Sequence, residues 1–167
     1  MGVPFHHGAT ADPEGNRMPG QPGSGPVSTG ESSRSGLSLH HEELRVLLQR
    51  YARAVDQRDV DTLSTLFHPD AELAGARGVE SLAEFLTGMR APRTFPTSMH
   101  MIADPLIHLG PGPEEAILDT YAVVYQLSDP ASERGDLTLG IRYLDDVVRH
   151  DGRWVIRRRT SDTLWMR

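Results

Sequence analysis

Apolar residues recur at helical intervals in the first half of the chain and at strand intervals in the second. Leu44, Leu47, Leu48, Tyr51, Ala52 and Val55 fall at i, i+3, i+4, i+7, i+8 and i+11, the spacing of one buried helix stripe. Ser38 suits the N-cap of that helix, and Glu42 and Glu43 follow where the helix dipole favours acids. Asp59 is a second N-cap, with Leu63, Leu66 and Phe67 after it, and Pro69 ends that helix at His68. Ala71 to Ala74 reads as a short strand. Gly78 introduces a third helix with Leu82, Phe85, Leu86 and Met89 on one side, closed by Pro92 and Pro96. From Thr97 the pattern becomes extended in four runs: Thr97 to Leu109, Glu115 to Leu127, Asp136 to Arg149 and Arg153 to Trp165. Gly110-Pro111-Gly112-Pro113, Asp129-Pro130 and His150-Asp151-Gly152 separate them, and Asp-Gly between two long runs signals a hairpin. Helices followed by a meander predict an α+β domain: three N-terminal helices packed on a curved antiparallel sheet, enclosing a cone-shaped pocket.

Composition bounds this picture. With 167 residues, 38% of them hydrophobic, the chain holds one domain with a core, over 37–167. Residues 1–36 carry eight Gly, five Pro and five Ser and are expected to be a disordered tail, in which His6-His7 is an incidental pair. A formal charge of -6 argues against nucleic acid or an acidic membrane as partner, and no apolar run is long enough to span a bilayer. A cytoplasmic location is the expectation.

The missing residue types narrow the chemistry. There is no cysteine, and all 17 basic residues are arginine, so thiolate, Schiff-base and Walker-lysine chemistry are excluded. His, Asp, Glu, Tyr, Ser, Thr and Arg remain, with acid-base work the leading type of chemistry. Asp56 lies at the edge of the first helix's apolar stripe, where a carboxylate is costly unless something pairs with it.

Three stretches in order, YARAVDQRDVDTLSTLFHPDAEL, TSMHMI and GIRYLDDVVRHDGRWVIRRR, resemble the NTF2-like superfamily, and within it the SnoaL-like and scytalone-dehydratase-like branch. The resemblance runs from about Ser38 to Trp165 and extends to the small subunits of aromatic-ring-hydroxylating dioxygenases. It implies that Asp56 stands where such dehydratases carry an aspartate, and His100 where they carry the histidine it orients, a general acid and base in a closed pocket. Scytalone dehydratase has a second histidine on the following long strand; this sequence has Tyr121, Tyr125 and Gln126 there. The resemblance therefore implies a dehydratase, isomerase or cyclase, needing no cofactor, that acts on a hydrophobic small molecule. A polyketide or related intermediate of antibiotic biosynthesis is the substrate class it suggests, with homodimerisation through the outer sheet face. Two alternatives stand beside it: a non-catalytic small subunit of a ring-hydroxylating dioxygenase, and a ligand-binding module.

Expected substrate-binding residues are Tyr143, Tyr121, Tyr125 and Tyr51. Arg142 alternates with Tyr143 and should face outward, toward Asp119 or Asp145. Of Arg157, Arg158 and Arg159, one should face inward and the others solvent. Trp165 and Met166 suit either a pocket wall or a dimer contact. His68-Pro69-Asp70 imitates part of an iron-binding triad but lacks a third ligand, so no metal is expected.

Overall fold

The first helix is the lid against which the sheet curls. In the computed structural model, which describes residues 29–110, 112 and 114–167, α1 runs Thr29–Gln57 and buries the whole expected stripe from Leu44 to Val55. Each large aliphatic side chain so buried contributes about 1.5–3 kcal/mol. The helix starts nine residues before Ser38, which is therefore not its cap; nothing in Thr29 to Leu37 breaks a helix except Gly residues, which helices tolerate at a cost. Of the tail expected to be disordered over 1–36, residues 29–36 instead belong to α1, while residues 1–28, with the His6-His7 pair, lie outside the described residues.

The α2 helix, Val60–Leu66, begins as expected at Asp59, whose carboxylate accepts from Thr62 N at 2.9 Å. Strand β1, Phe67–Gly75, starts earlier than the expected Ala71. His68-Pro69-Asp70, expected at a helix-to-strand corner, instead forms an irregularity inside β1, because proline has no N–H to give the ladder. Gly78 does not begin a helix: Gly78–Ser81 is β2, and α3, Leu82–Arg90, starts after a capping box between Ser81 and Glu84.

The expected run from Thr97 to Leu109 is two strands, β3 Thr97–Ile102 and β4 Leu106–Leu109, both pairing with β5, Glu115–Leu127. Pro105 interrupts the ladder, and Asp104 turns to meet Arg45 of α1 at 2.5 Å. Strands β6, Leu137–His150, and β7, Arg153–Met166, form the signalled hairpin. Asp151 and Gly152 both take positive φ, 49° and 74°, as a two-residue hairpin turn requires.

The sheet order is β2-β1-β7-β6-β5-β3, with β4 also on β5. One pairing departs from the antiparallel expectation: β1 runs parallel to β7, so the sheet is mixed. The inner face of β5 (Ala116, Leu118, Thr120, Ala122 and Val124) packs toward the helices, and its alternate residues face out. No helix among the described residues is long and apolar enough to cross a membrane.

Candidate functional site

The last turn of α1 and the middle of β3 bring Asp56 and His100 together. β3 is an edge strand, and the His100 N–H, which would otherwise be left open, donates to Asp56 Oδ2 at 2.8 Å. The imidazole Nδ1 lies 2.7 Å from Asp56 Oδ1, and Ser98 Oγ donates to the same oxygen at 2.8 Å. Three donors thus meet one carboxylate, which supplies the partner that its position on α1 demanded. A carboxylate accepting at Nδ1 fixes the proton there and leaves Nε2 with its lone pair. Nε2 has no hydrogen-bond partner among the described residues.

Burial lowers the pKa of His100 below its ordinary 6.5, against the hydrogen bond and charge of Asp56, which raise it; the charges of Arg159 and Arg93 add to the lowering. The ring is therefore neutral at neutral pH, as a base must be. A histidine with a depressed folded-state pKa contributes stability that is present above the unfolded value of about 6.5 and lost as pH falls toward the folded value.

His100 lines a cavity of about 420 Å³ walled by Val55, Phe85, Met89 and Phe95, with Arg58 and Arg93 among its polar members. Exposed Arg77, Ala91, Pro92 and Thr94 form its rim, so it is a cleft open to solvent and not the closed pocket expected. The reason is local: the segment after α3 that would roof it carries Pro92 and Pro96 and forms no regular element. His100 also borders a shallower groove along α1, lined mainly by polar residues such as Gln49, Arg50 and Arg53. The 420 Å³ cavity is the more enclosed of the two and is walled by the rings of Phe85 and Phe95, which makes it the better home for an organic ligand.

The four tyrosines divide. Tyr51 is buried, its ring edge-on to that of His100 with centroids 6.5 Å apart. It lines an adjoining cavity of about 260 Å³ that shares Arg77 and Phe85 with the first. Tyr143 is buried too, 6.0 Å from Tyr51, but belongs to neither cavity wall. Burial first, then the neighbouring Tyr51, push its pKa far up, so it stays a neutral phenol. Tyr121 and Tyr125 are corrections: both sit on the outer face of β5, Tyr121 59% exposed, because strand alternation gives the inner face to Thr120, Ala122 and Val124. Gln126, beyond the last alternating pair, is the β5 residue that reaches the cavity.

Arg159 went unidentified in the sequence. It is the inward arginine of its triplet, 1% exposed, with Asp145 fully buried against it: Nε and Nη2 donate to the two carboxylate oxygens at 2.6 and 2.7 Å. Its guanidinium carbon lies 3.9 Å from the Tyr51 ring centroid and 4.4 Å from that of Tyr143. The Nη1 group is buried and has no partner among the described residues. Burial acts to lower its pKa, but Asp145 outweighs this and holds the guanidinium charged. Arg142 faces outward as expected and pairs with Asp119 at 2.8 and 2.5 Å. Trp165 and Met166 are exposed, away from both cavities, with the Trp165 indole lying across Gly140, where an added Cβ would meet it at 2.2 Å. His68 packs against His150, ring centroids 4.7 Å apart, at the other end of the sheet from Asp56 and His100.

Comparison with known proteins agrees with this architecture. The family model described as SnoaL-like domain matches residues 38–160. No curated protein matches in sequence. Among solved structures, a Novosphingobium aromaticivorans protein with the provisional name scytalone dehydratase superposes with a TM-score of 0.70 at 20% identity, over 80% of this chain and 90% of its own. A type 2 hexachlorocyclohexane dehydrochlorinase gives a TM-score of 0.70 at 12% identity, over 80% and 91%. An NTF2-like protein with a cystatin-like fold, also from Novosphingobium aromaticivorans, gives 0.70 at 19% identity, over 82% and 90%. At these identities the likeness is one of fold.

Proposed function

Because this chain belongs to the SnoaL-like domain family of the NTF2-like superfamily, we propose that it is a cofactor-independent enzyme moving protons on a hydrophobic small molecule. The observation that carries the reading is the 2.7 Å contact between His100 Nδ1 and Asp56, in a ring that burial keeps neutral and whose Nε2 is free. His100 removes a proton from carbon, Asp56 holds the tautomer and stabilises the imidazolium formed, and return of the proton elsewhere completes a dehydration, isomerisation or cyclisation. The solved structures whose names mention a dehydratase and a dehydrochlorinase share the fold and favour a lyase-type step. An aromatic or polyene polyketide intermediate is the proposed substrate class, matched to the Phe85, Phe95, Met89 and Val55 walls.

Developing negative charge needs an electrophile, a role for which the resemblance offers Tyr143. Arg159 suits it better, with a permanent charge and a buried, unpartnered Nη1 on a side chain that borders the cavity adjoining that of His100. A substrate lying across the shared Phe85 and Arg77 presents carbon to the imidazole and oxygen to the guanidinium. Tyr51 and Tyr143 then act as the aromatic sandwich that positions Arg159.

A substrate-independent assay tests the base. 5-Nitrobenzisoxazole gives up one ring C–H proton to a positioned base, its N–O bond breaks, and a coloured phenolate is released. Asp56→Asn is expected to slow this by at least about tenfold, because an amide can donate to Nδ1 and leave the proton on Nε2; an unchanged rate removes the orienting role. The pH profile of kcat/KM should fall on the acid side with a midpoint below 6.5, since protonation removes the base. In Arg93→Gln the midpoint should rise, one depressing positive charge having gone; a midpoint unmoved or lower contradicts the assignment to His100.

We further propose self-association through the outer sheet face. Met99, Met101, Ile117, Tyr121, Leu127 and Leu144 are all at least 40% exposed there, an apolar surface that a lone domain seldom shows to water. Light scattering should give twice the chain mass or more, and Tyr121→Glu should reduce it toward the monomer.

A further inference from the structure

We propose that the cavity beside His100 takes a substrate bearing a carboxylate on its apolar body, and that Arg58 and Arg93 anchor that acid. This deepens the proton-transfer reading and relies on it only for the choice of cavity.

The cavity wall carries three arginines, Arg58, Arg77 and Arg93, together with His100, and no aspartate or glutamate among the described residues. That balance is the reverse of the chain's, which has 23 acidic residues against 17 arginines. Elsewhere the half-buried and buried arginines are matched: Arg45, Arg142, Arg149 and Arg159 each meet a carboxylate, and at the cavity rim Arg77 meets Glu80 at 3.5 Å. Arg58 and Arg93 meet none among the described residues. Arg58 donates from Nε to Met89 O at 2.7 Å and from Nη2 to Met89 O and Ala91 O. Arg93 donates from Nη2 to Val55 O at 2.8 Å and has only 3.4 Å contacts from Nη1 to Pro96 O and Ser98 Oγ. Carbonyls orient a guanidinium but bring no negative charge to balance it.

The two cations are close enough to disturb each other: burial, and then the charge of Arg58, lower the pKa of Arg93, and the smaller opposing effect of Asp56 does not offset them. A tether for the end of α3 needs donors; it does not need two like charges in one cleft. Their pairing is accounted for if the missing partner is a ligand. Each fork is partly spent on the backbone, leaving Nη1 of Arg58 and Nε of Arg93, one donor group from each side, which suits the two oxygens of a single carboxylate. Val55, Phe85, Met89 and Phe95 hold the body of the molecule between that acid and the imidazole.

The test is calorimetric titration of the full chain with 2-naphthoate and with its neutral counterpart 2-naphthamide. The carboxylate should bind about tenfold or more tightly than the amide, and the gap should shrink as salt is raised. Arg93→Gln and Arg58→Gln, each checked for native circular dichroism, should bring the two probes together. Equal affinities in the unaltered chain, no binding of 2-naphthoate at millimolar concentration, or a gap that survives both substitutions overturns the proposal. The two readings fail separately: a preserved naphthoate preference with benzisoxazole turnover indifferent to His100 sinks only the proton transfer, and the reverse pattern sinks only the carboxylate anchor.

Discussion

Replacing His100 with alanine is expected to slow benzisoxazole elimination by about 10²- to 10⁴-fold, the range a positioned general base contributes. The protein should remain folded. Asp56 keeps the His100 main-chain N–H and the Ser98 hydroxyl as donors, so its carboxylate is not orphaned when the ring is removed. What is lost is a neutral, largely buried ring and one hydrogen bond, a cost of about 1–3 kcal/mol against a total stability of about 5–15 kcal/mol for a domain. His100→Gln retains more of the volume and should be as inactive, because an amide cannot take the proton. A folded His100→Ala variant with undiminished turnover would remove the proposed mechanism and leave a binding module with the same cleft.

The second large effect is on stability. Asp145→Ala should destabilise the fold by about 3–5 kcal/mol, because it leaves the Arg159 guanidinium buried between Tyr51 and Tyr143 with no counter-charge. The cation cannot escape by losing its proton, since an arginine stays charged throughout the accessible pH range. Urea unfolding should show the lower midpoint with an unchanged slope. An apolar replacement of the pair, Asp145→Leu with Arg159→Met, should recover most of the loss, since a buried ion pair is often no more stabilising than packed side chains. If Arg159 acts on substrate, that double variant is stable and slow; if it is only structural, it is stable and active. A cost below about 1 kcal/mol for Asp145→Ala would show that water reaches the guanidinium.

Much of the fold is legible because its signals are local. The Leu44 to Val55 stripe, the Asp59 cap and the Asp151-Gly152 turn each depend on residues a few positions apart, and each stands in the structure where the pattern puts it. The parallel pairing of β1 with β7 is not legible, since alternation marks a strand but not the direction of its neighbour. Nor is the division of Thr97 to Leu109, where Pro105 weakens a run that hydrophobic alternation would carry through. The split of the tyrosines has a similar origin: Tyr121 and Tyr125 share a face by spacing, but which face turns inward depends on where the helices pack.

Arg159 shows the limit most clearly. Counting outward from the two-residue turn, a regular ladder would set Asp145 opposite Arg158. An extra residue in β7, between Ile156 and Arg158, shifts the register so that Asp145 faces Arg159 instead. A one-residue slip exchanges inner and outer faces, so the identity of the buried cation rests on a bulge with no sequence signature.

The sequence by itself determined most of the elements, the family and the exclusion of cysteine and lysine chemistry, because residue types and short-range periodicity suffice for those. Only the tertiary structure decided that Asp56 and His100 lie 2.7 Å apart across 44 residues of chain, which arginine is buried, and that the cleft is open and positively lined. Those outcomes depend on sheet register and helix docking, which are set by the sum of many long-range contacts and by no single stretch of residues.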